Sequence, residues 1–265
     1  MALAAATVLL TGASGGIGQA IARALSARGA RLLLTGRRGD VLEELARELG
    51  AVALVADLAL RADVERLAAE AVGAGVDVLV ANAGLPASGE IGELEGDQID
   101  RMLDVNLRAP IALSHRLAPM MAARGSGQMV FISSLSSQVA SPASSLYSAT
   151  KFGLRGFALG IRQDLRRSGV GVSLVVPGFI RDAGMYADVG MALPPGVGTR
   201  SPAEVAAAVI RAIERNPAEL HVAPLSLRLG AAFGSIAPAP AALGSRLLGS
   251  DRIAARIAEA QRSQR

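Results

Sequence analysis

The stretch Thr11-Gly12-Ala13-Ser14-Gly15-Gly16-Ile17-Gly18 decides the fold. It follows an apolar run at 7–10 and opens a segment of helical spacing over 16–27. A glycine-rich turn between strand and helix lets backbone amides approach a pyrophosphate at the positive end of the helix dipole. Gly12, Gly16 and Gly18 are the key glycines, with Ser14 and Ile17 on the same turn. Their spacing, G-x-x-x-G-x-G, differs from the common dinucleotide fingerprint G-x-G-x-x-G. A plain tight turn is the competing reading.

Outward from that turn, short apolar runs alternate with longer amphipathic stretches. Runs at 31–35, 52–56, 76–81, 128–132 and 171–176 carry few or no charges and are rich in Val, Leu and Ile. Such runs fit strands of a parallel sheet covered on both faces. Segments 41–49, 62–71 and 97–123 have helical spacing; Leu42, Leu45 and Leu49 recur at three and four residues. This alternation predicts an α/β, doubly wound sheet with binding loops beyond the carboxyl ends of its strands. Residues 1–222 read as one catalytic domain, with 178–200 as a Gly/Pro-containing lid. Residues 223–249 read as an irregular appendage leading to a helix from about Ser250.

The second strand ends in Gly36-Arg37-Arg38, where NAD-specific sites usually place an acidic residue for the ribose 2′-hydroxyl. A guanidinium fork suits a 2′-phosphate, so NADP(H) is preferred over NAD(H). Two solvated cations at a helix start would oppose the dipole. Asp57, after the third strand, is placed to accept a hydrogen bond from adenine, or else to cap a helix.

Tyr147-Ser148-Ala149-Thr150-Lys151 carries the chemistry. Residues i and i+4 share a helix face. The ammonium is expected to lower the phenol pKa towards neutrality, so that Tyr147 exchanges a proton with an alcohol or carbonyl oxygen. Ser134, thirteen residues earlier, is placed to hydrogen-bond the same oxygen.

Composition sharpens this. Basic and acidic residues number 27 and 23, and 26 of the 27 are arginines; the sole lysine is Lys151. A lysine surviving in such a chain marks a place where a planar guanidinium fails. Two of the three asparagines, Asn82 and Asn106, fall in the motifs given next. With no cysteine, thiolate metal sites and disulfides are excluded. His115 and His221 read as structural residues. The net +4 sits wholly from residue 220 onward, in six arginines against Asp251 and Glu259. A neutral body with 3% aromatics lacks the basic excess and stacking surface of a nucleic-acid binder. The apolar start reads as a first core strand rather than a signal peptide, which points to a cytoplasmic protein.

Taken in order, these residues resemble the short-chain dehydrogenase/reductase family over about residues 5–222. The match runs through the glycine turn, Asp57 with Leu58, Asn82-Ala83-Gly84, Asn106 in Val-Asn-Leu and Ile132-Ser133-Ser134. It continues through Tyr147-x-x-x-Lys151 and Pro177-Gly178, with Ile180 beyond. The resemblance implies a Rossmann-type fold of about seven strands and catalysis by Asn106, Ser134, Tyr147 and Lys151. In that reading the tyrosine is the acid/base, the lysine also binds the nicotinamide ribose, the serine orients the substrate oxygen, and the asparagine supports a relay water. Asn82 would support the loop beside the cofactor. Two positions depart from the family pattern. Asp182 stands where a threonine commonly holds the nicotinamide carboxamide, and Gly15 stands where many NADP-preferring members have a basic residue.

The expected substrate is a hydrophobic ketone, aldehyde or secondary alcohol, because Leu135, Val139, Ala140, Phe179, Met185, Tyr186 and Val189 make an apolar surround. A non-catalytic NADP-binding regulator on the same fold is the alternative; an epimerase or dehydratase would need a larger substrate domain. A homodimer or homotetramer is expected. The apolar, basic extension 223–265 is read as a lid or oligomer contact. Peripheral membrane attachment through Leu247, Leu248, Ile253 and Ile257 is its second reading.

Overall fold

The computed structural model describes residues 1–86, 89–184, 198–247 and 259. Seven strands form one parallel sheet: β1 Thr7–Thr11, β2 Arg31–Gly36, β3 Val52–Val55, β4 Val78–Ala81, β5 Gly127–Ile132, β6 Val170–Pro177 and β7 Glu219–Val222. Their spatial order is β3-β2-β1-β4-β5-β6-β7. The order reverses between β1 and β4, so a crevice opens there beyond the carboxyl ends of the strands.

Alternation along each strand fills two cores. Val8, Leu10, Val78, Val80 and Val130 face a cluster built with α1 (Gly16–Ser26), α2 (Gly39–Leu49) and α7 (Pro202–Arg215). Leu9, Leu79, Met129 and Phe131 face the other, with α3 (Arg61–Gly73), α5 (Ala109–Arg124) and α6 (Ser145–Asp164). A period of two on a sheet covered on both faces requires apolar residues at every position, as the sequence shows.

Two expectations need correction. The helix expected over 97–123 is broken into α4 (Gly96–Leu103), a π turn at Asp104–Arg108, and α5. Pro110 has no N–H to donate to the Asn106 carbonyl four residues earlier, so a regular α ladder cannot pass this point. The appendage expected to be irregular over 223–249 instead contains α8 (Leu225–Ile236) and α9 (Pro238–Leu247). Its prolines start helices rather than break them: Pro224 is the N-cap of α8 and Pro238 is the first residue of α9. Apart from Glu259, the helix expected from Ser250 lies outside the described residues.

Candidate active site

The glycine turn closes the amino end of the crevice. Gly12 has φ +67°, and a Cβ there would stand 2.8 Å from the Ala83 Cα. At Gly18 a Cβ would fall 2.1 Å from the Gly12 carbonyl oxygen. The turn therefore lies directly against the start of α1. Gly18→Ala is expected to destabilise the protein by about 1–3 kcal/mol through overpacking and to weaken dinucleotide binding, checked by thermal melting and cofactor titration. Gly15 caps α1 without a side-chain hydrogen bond, and the first turn of α1 has no acidic residue. Backbone donors at this end are thus open to an anion, which fits a pyrophosphate.

The neighbouring loop is tied to the turn. The Thr11 hydroxyl accepts from the N–H groups of Asn82 and Ala83, both at 3.0 Å. The Asn82 amide donates to the carbonyls of Thr11 and Gly12, at 3.0 and 3.2 Å. Asn82 thus ties its own loop to the glycine turn through protein contacts. Gly84 follows on the same segment, and at Leu85 the loop is gripped from its other side. The Leu85 N–H donates to Asn106 Oδ1 at 2.7 Å, and Asn106 Nδ2 donates to the Leu85 carbonyl at 3.0 Å.

Beyond β2, Arg38 donates to the Ser14 carbonyl, and Arg37 and Arg38 are both exposed. Gly36 permits this closeness, since a Cβ there would meet Ser14 Oγ at 2.7 Å. Asp57 is not the cap of α3. It pairs with Arg101 of α4 at 2.7 Å and accepts from the Ala59 N–H at 3.0 Å. Burial pushes its carboxyl upward, but the bonds from Arg101 and Ala59 and the charges of Arg101 and Arg37 outweigh that, so its pKa is lowered overall. Leu58 beside it is buried. Arg101 is a residue that sequence reasoning missed: it lies 44 positions from Asp57 and belongs to no motif.

The reactive groups meet beyond β5. Ser134 and Tyr147 are both half-buried, and the Ser134 hydroxyl lies close enough to the phenol to act on its pKa. The Ser136 N–H donates to Ser134 Oγ at 3.1 Å, which leaves the serine's own hydrogen free of that bond. Lys151 is buried, stands 5.6 Å from the centre of the Tyr147 ring, and donates to the Ile132 carbonyl at 3.1 Å. One lysine thereby joins the end of β5, which leads to Ser134, to the helix that carries Tyr147. Thr150, also missed, links Asn106 to this helix: its hydroxyl is 3.4 Å from Asn106 Nδ2 and donates to the Tyr147 carbonyl at 2.8 Å.

The expected lowering of the phenol pKa is reversed. Burial pushes Tyr147 up to about 12, against a smaller lowering by the Ser134 hydrogen bond. Burial also pulls Lys151 down to about 8. Removal from water penalises the charged form of each group, phenolate for Tyr147 and ammonium for Lys151.

Past β6, Leu135 and Phe179 adjoin Gly178, and Ile180 is buried. The Gly178 N–H donates to the Val222 carbonyl at 3.0 Å. The two ends of the segment expected to be a lid are joined: the Arg181 N–H donates to the Arg200 carbonyl and the Arg200 N–H to the Phe179 carbonyl, both at 2.9 Å. Met185, Tyr186 and Val189 lie outside the described residues. Asp182 has φ +68° and pairs with Arg181 at 3.4 Å. His115 is exposed on α5, and His221 on β7 shares a 2.8 Å hydrogen bond with Gln138.

A family model described as short chain dehydrogenase matches residues 6–192. Ketoacyl reductase HetN of a Nostoc species is 34% identical over 223 residues, covering 82% of this chain and 78% of that protein. A solved short-chain dehydrogenase from Streptomyces avermitilis superposes with a TM-score of 0.77 at 28% identity, covering 93% of this chain and 97% of that one. A short-chain dehydrogenase from Sphingobium yanoikuyae, solved in complex with NADPH, gives a TM-score of 0.77 at 29% identity over 87% and 93% of the two chains.

Proposed function

Because this chain belongs to the short-chain dehydrogenase/reductase family of oxidoreductases, we propose that it interconverts a carbonyl and a secondary alcohol on a hydrophobic small molecule with NADP(H). The observation that carries this reading is the Tyr147 phenol beside the Ser134 hydroxyl, with the Lys151 ammonium buried 5.6 Å from the centre of its ring, in the crevice beyond β5. A pure dinucleotide binder has no use for a phenol held in this way.

A nicotinamide cofactor, held by the residues named below, would supply or accept the hydride at the substrate carbon. Ser134 orients the substrate oxygen by its hydroxyl. Tyr147 gives its phenolic proton to that oxygen as the carbonyl is reduced, and takes it back in the reverse reaction. Lys151 holds Tyr147 and the end of β5 in register, and its ammonium offers donors to a ribose. Asn106 fixes Leu85, and with it the wall of the crevice. Gly12, Ser14, Gly16, Ile17 and Gly18 would hold the pyrophosphate. Asp57, Leu58, Ala83, Gly84, Pro177, Gly178 and Ile180 would line the remainder of the cofactor. Leu135, Phe179, Met185 and Tyr186 make the proposed apolar substrate pocket.

Preference for NADP(H) rests on Arg37 and Arg38. Both are exposed beyond β2, and the nearby Asp57 carboxylate is already paired with Arg101. Arg37→Ala is expected to raise KM for NADPH by about tenfold, the worth of one charge-assisted phosphate contact. KM for NADH should change little. A panel of apolar ketones, aldehydes and secondary alcohols run with both cofactors tests the whole reading. No turnover with any of them, while NADPH still binds, would favour the non-catalytic alternative.

A further inference from the structure

Helix α8 turns its small residues inward and its large apolar residues outward. Ala231 and Gly234 are buried against the body; at Gly234 a Cβ would meet Val139 Cγ2 at 2.7 Å. Leu225, Leu229, Phe233 and Ile236 fall on the opposite side, because steps of four, four and three residues keep to one helical stripe. They are 63%, 63%, 54% and 84% exposed, and Leu243 of α9 is 60% exposed. An apolar face of this kind marks an interaction surface. It differs from the place indicated by the sequence, since the side chains of Leu247, Leu248, Ile253 and Ile257 lie outside the described residues.

Charge identifies what covers it. Residues 223–249 contain no acidic side chain. Arg228 is exposed on α8 beside the stripe, and Arg246 belongs to α9. From residue 220 to the end there are six arginines against two acids, while the rest of the chain is neutral. In a two-fold pairing of this face with its own copy, Arg228 would find no carboxylate from residues 223–249 to answer it. The chain's own last residues are basic as well. An anionic lipid surface matches both the apolar stripe and an acid-free segment with Arg228 beside that stripe.

We infer that the α8–α9 face docks the protein on anionic lipid. The twelve residues of α8 span about 18 Å and lie in the plane of the interface. Among the described residues no helix is long and apolar enough to cross a membrane. Val139, against which Gly234 packs, closely follows the Leu135–Ser137 turn beside the crevice. Docking therefore brings the rim of the candidate site to the lipid surface, where an apolar substrate would enter. That consequence rests on the proposed substrate class; the docking itself does not.

The test is flotation of the full chain with vesicles of phosphatidylcholine, with and without phosphatidylglycerol. Wild type should float with the anionic vesicles, less so at high salt, and stay behind with phosphatidylcholine alone. Leu229→Glu/Phe233→Glu should weaken flotation at least about tenfold, with unchanged NADPH turnover and thermal melting showing that the fold persists. Arg228→Gln should weaken it less. Sedimentation velocity on the same samples reads the alternatives. Failure of wild type to float overturns the proposal. If the double variant then dissociates an oligomer, a second copy covers the face; if it changes nothing, the chain's own C-terminal segment does. Because turnover is measured separately, failed docking is distinguishable from failed catalysis.

Discussion

Replacing Tyr147 with phenylalanine is expected to lower kcat for carbonyl reduction by roughly 10²–10⁴-fold, the usual contribution of a positioned proton donor. The substitution deletes one hydroxyl and preserves the ring that lies 5.6 Å from Lys151 Nζ. NADPH affinity, followed by fluorescence titration, should change by less than about twofold, because the change removes transition-state rather than ground-state interaction. At neutral pH the phenol is protonated, since burial holds it near 12. It is therefore charged with the proton that reduction consumes, and Tyr147 should impose no rise in rate between acid and neutral pH. A phenylalanine variant with near wild-type kcat would remove Tyr147 from the reaction and return the protein to the class of dinucleotide binders. Ser134→Ala should act in the same direction but less strongly. It leaves the proton in place and removes the hydroxyl proposed to orient the substrate oxygen.

What the sequence disclosed, and what it withheld, follows from the range of each interaction. The glycine turn and the strands were readable because backbone approach and two-sided burial constrain consecutive residues: Gly18 has no room for a Cβ, and all eight residues of β6 are buried. Tyr147 and Lys151 were readable because four residues is one helical turn. The π turn was hidden since Val105 and Ala109 keep the apolar rhythm of an ordinary helix, with only Pro110 as a local signal. Helices α8 and α9 were hidden for the opposite reason. The usual amphipathic sign is inverted on α8, where Ala231 and Gly234 are buried and Leu225, Leu229 and Phe233 are exposed. Arg101 reaches Asp57 only through folding, as does the bond between Gln138 and His221, 83 residues apart. The phenol pKa went astray because spacing reveals a neighbouring charge, while desolvation depends on everything packed around the pair.

That same desolvation makes Lys151 a cost to the fold, and its replacement should show it. Its pKa is about 8 in the folded protein against the ordinary 10.5. Between those values the unfolded chain holds a proton that the folded protein does not, so stability rises with pH across this window. Below about 8 the full penalty of a buried ammonium is present, on the order of a few kcal/mol. Lys151→Met keeps the apolar stem and removes the charge. It also forfeits the hydrogen bond to the Ile132 carbonyl, worth about 1 kcal/mol. At neutral pH the variant should therefore melt higher than wild type by roughly 2–6 °C, and the gap should close as pH rises from 8 towards 10.5. Turnover should fall by at least about 10²-fold, because neither phenol nor ribose retains its cation. Lys151→Arg separates charge from shape: it keeps the cation, yet a planar fork cannot occupy the compact position beneath the Tyr147 ring, so most turnover should be lost there too. Wild-type reduction should itself decline above about pH 8 as Lys151 discharges. A methionine variant that melts lower at neutral pH would show that the ammonium supports the fold. An arginine variant with wild-type kinetics would show that any cation serves, and the single lysine among 26 arginines would then have no catalytic reason to be there.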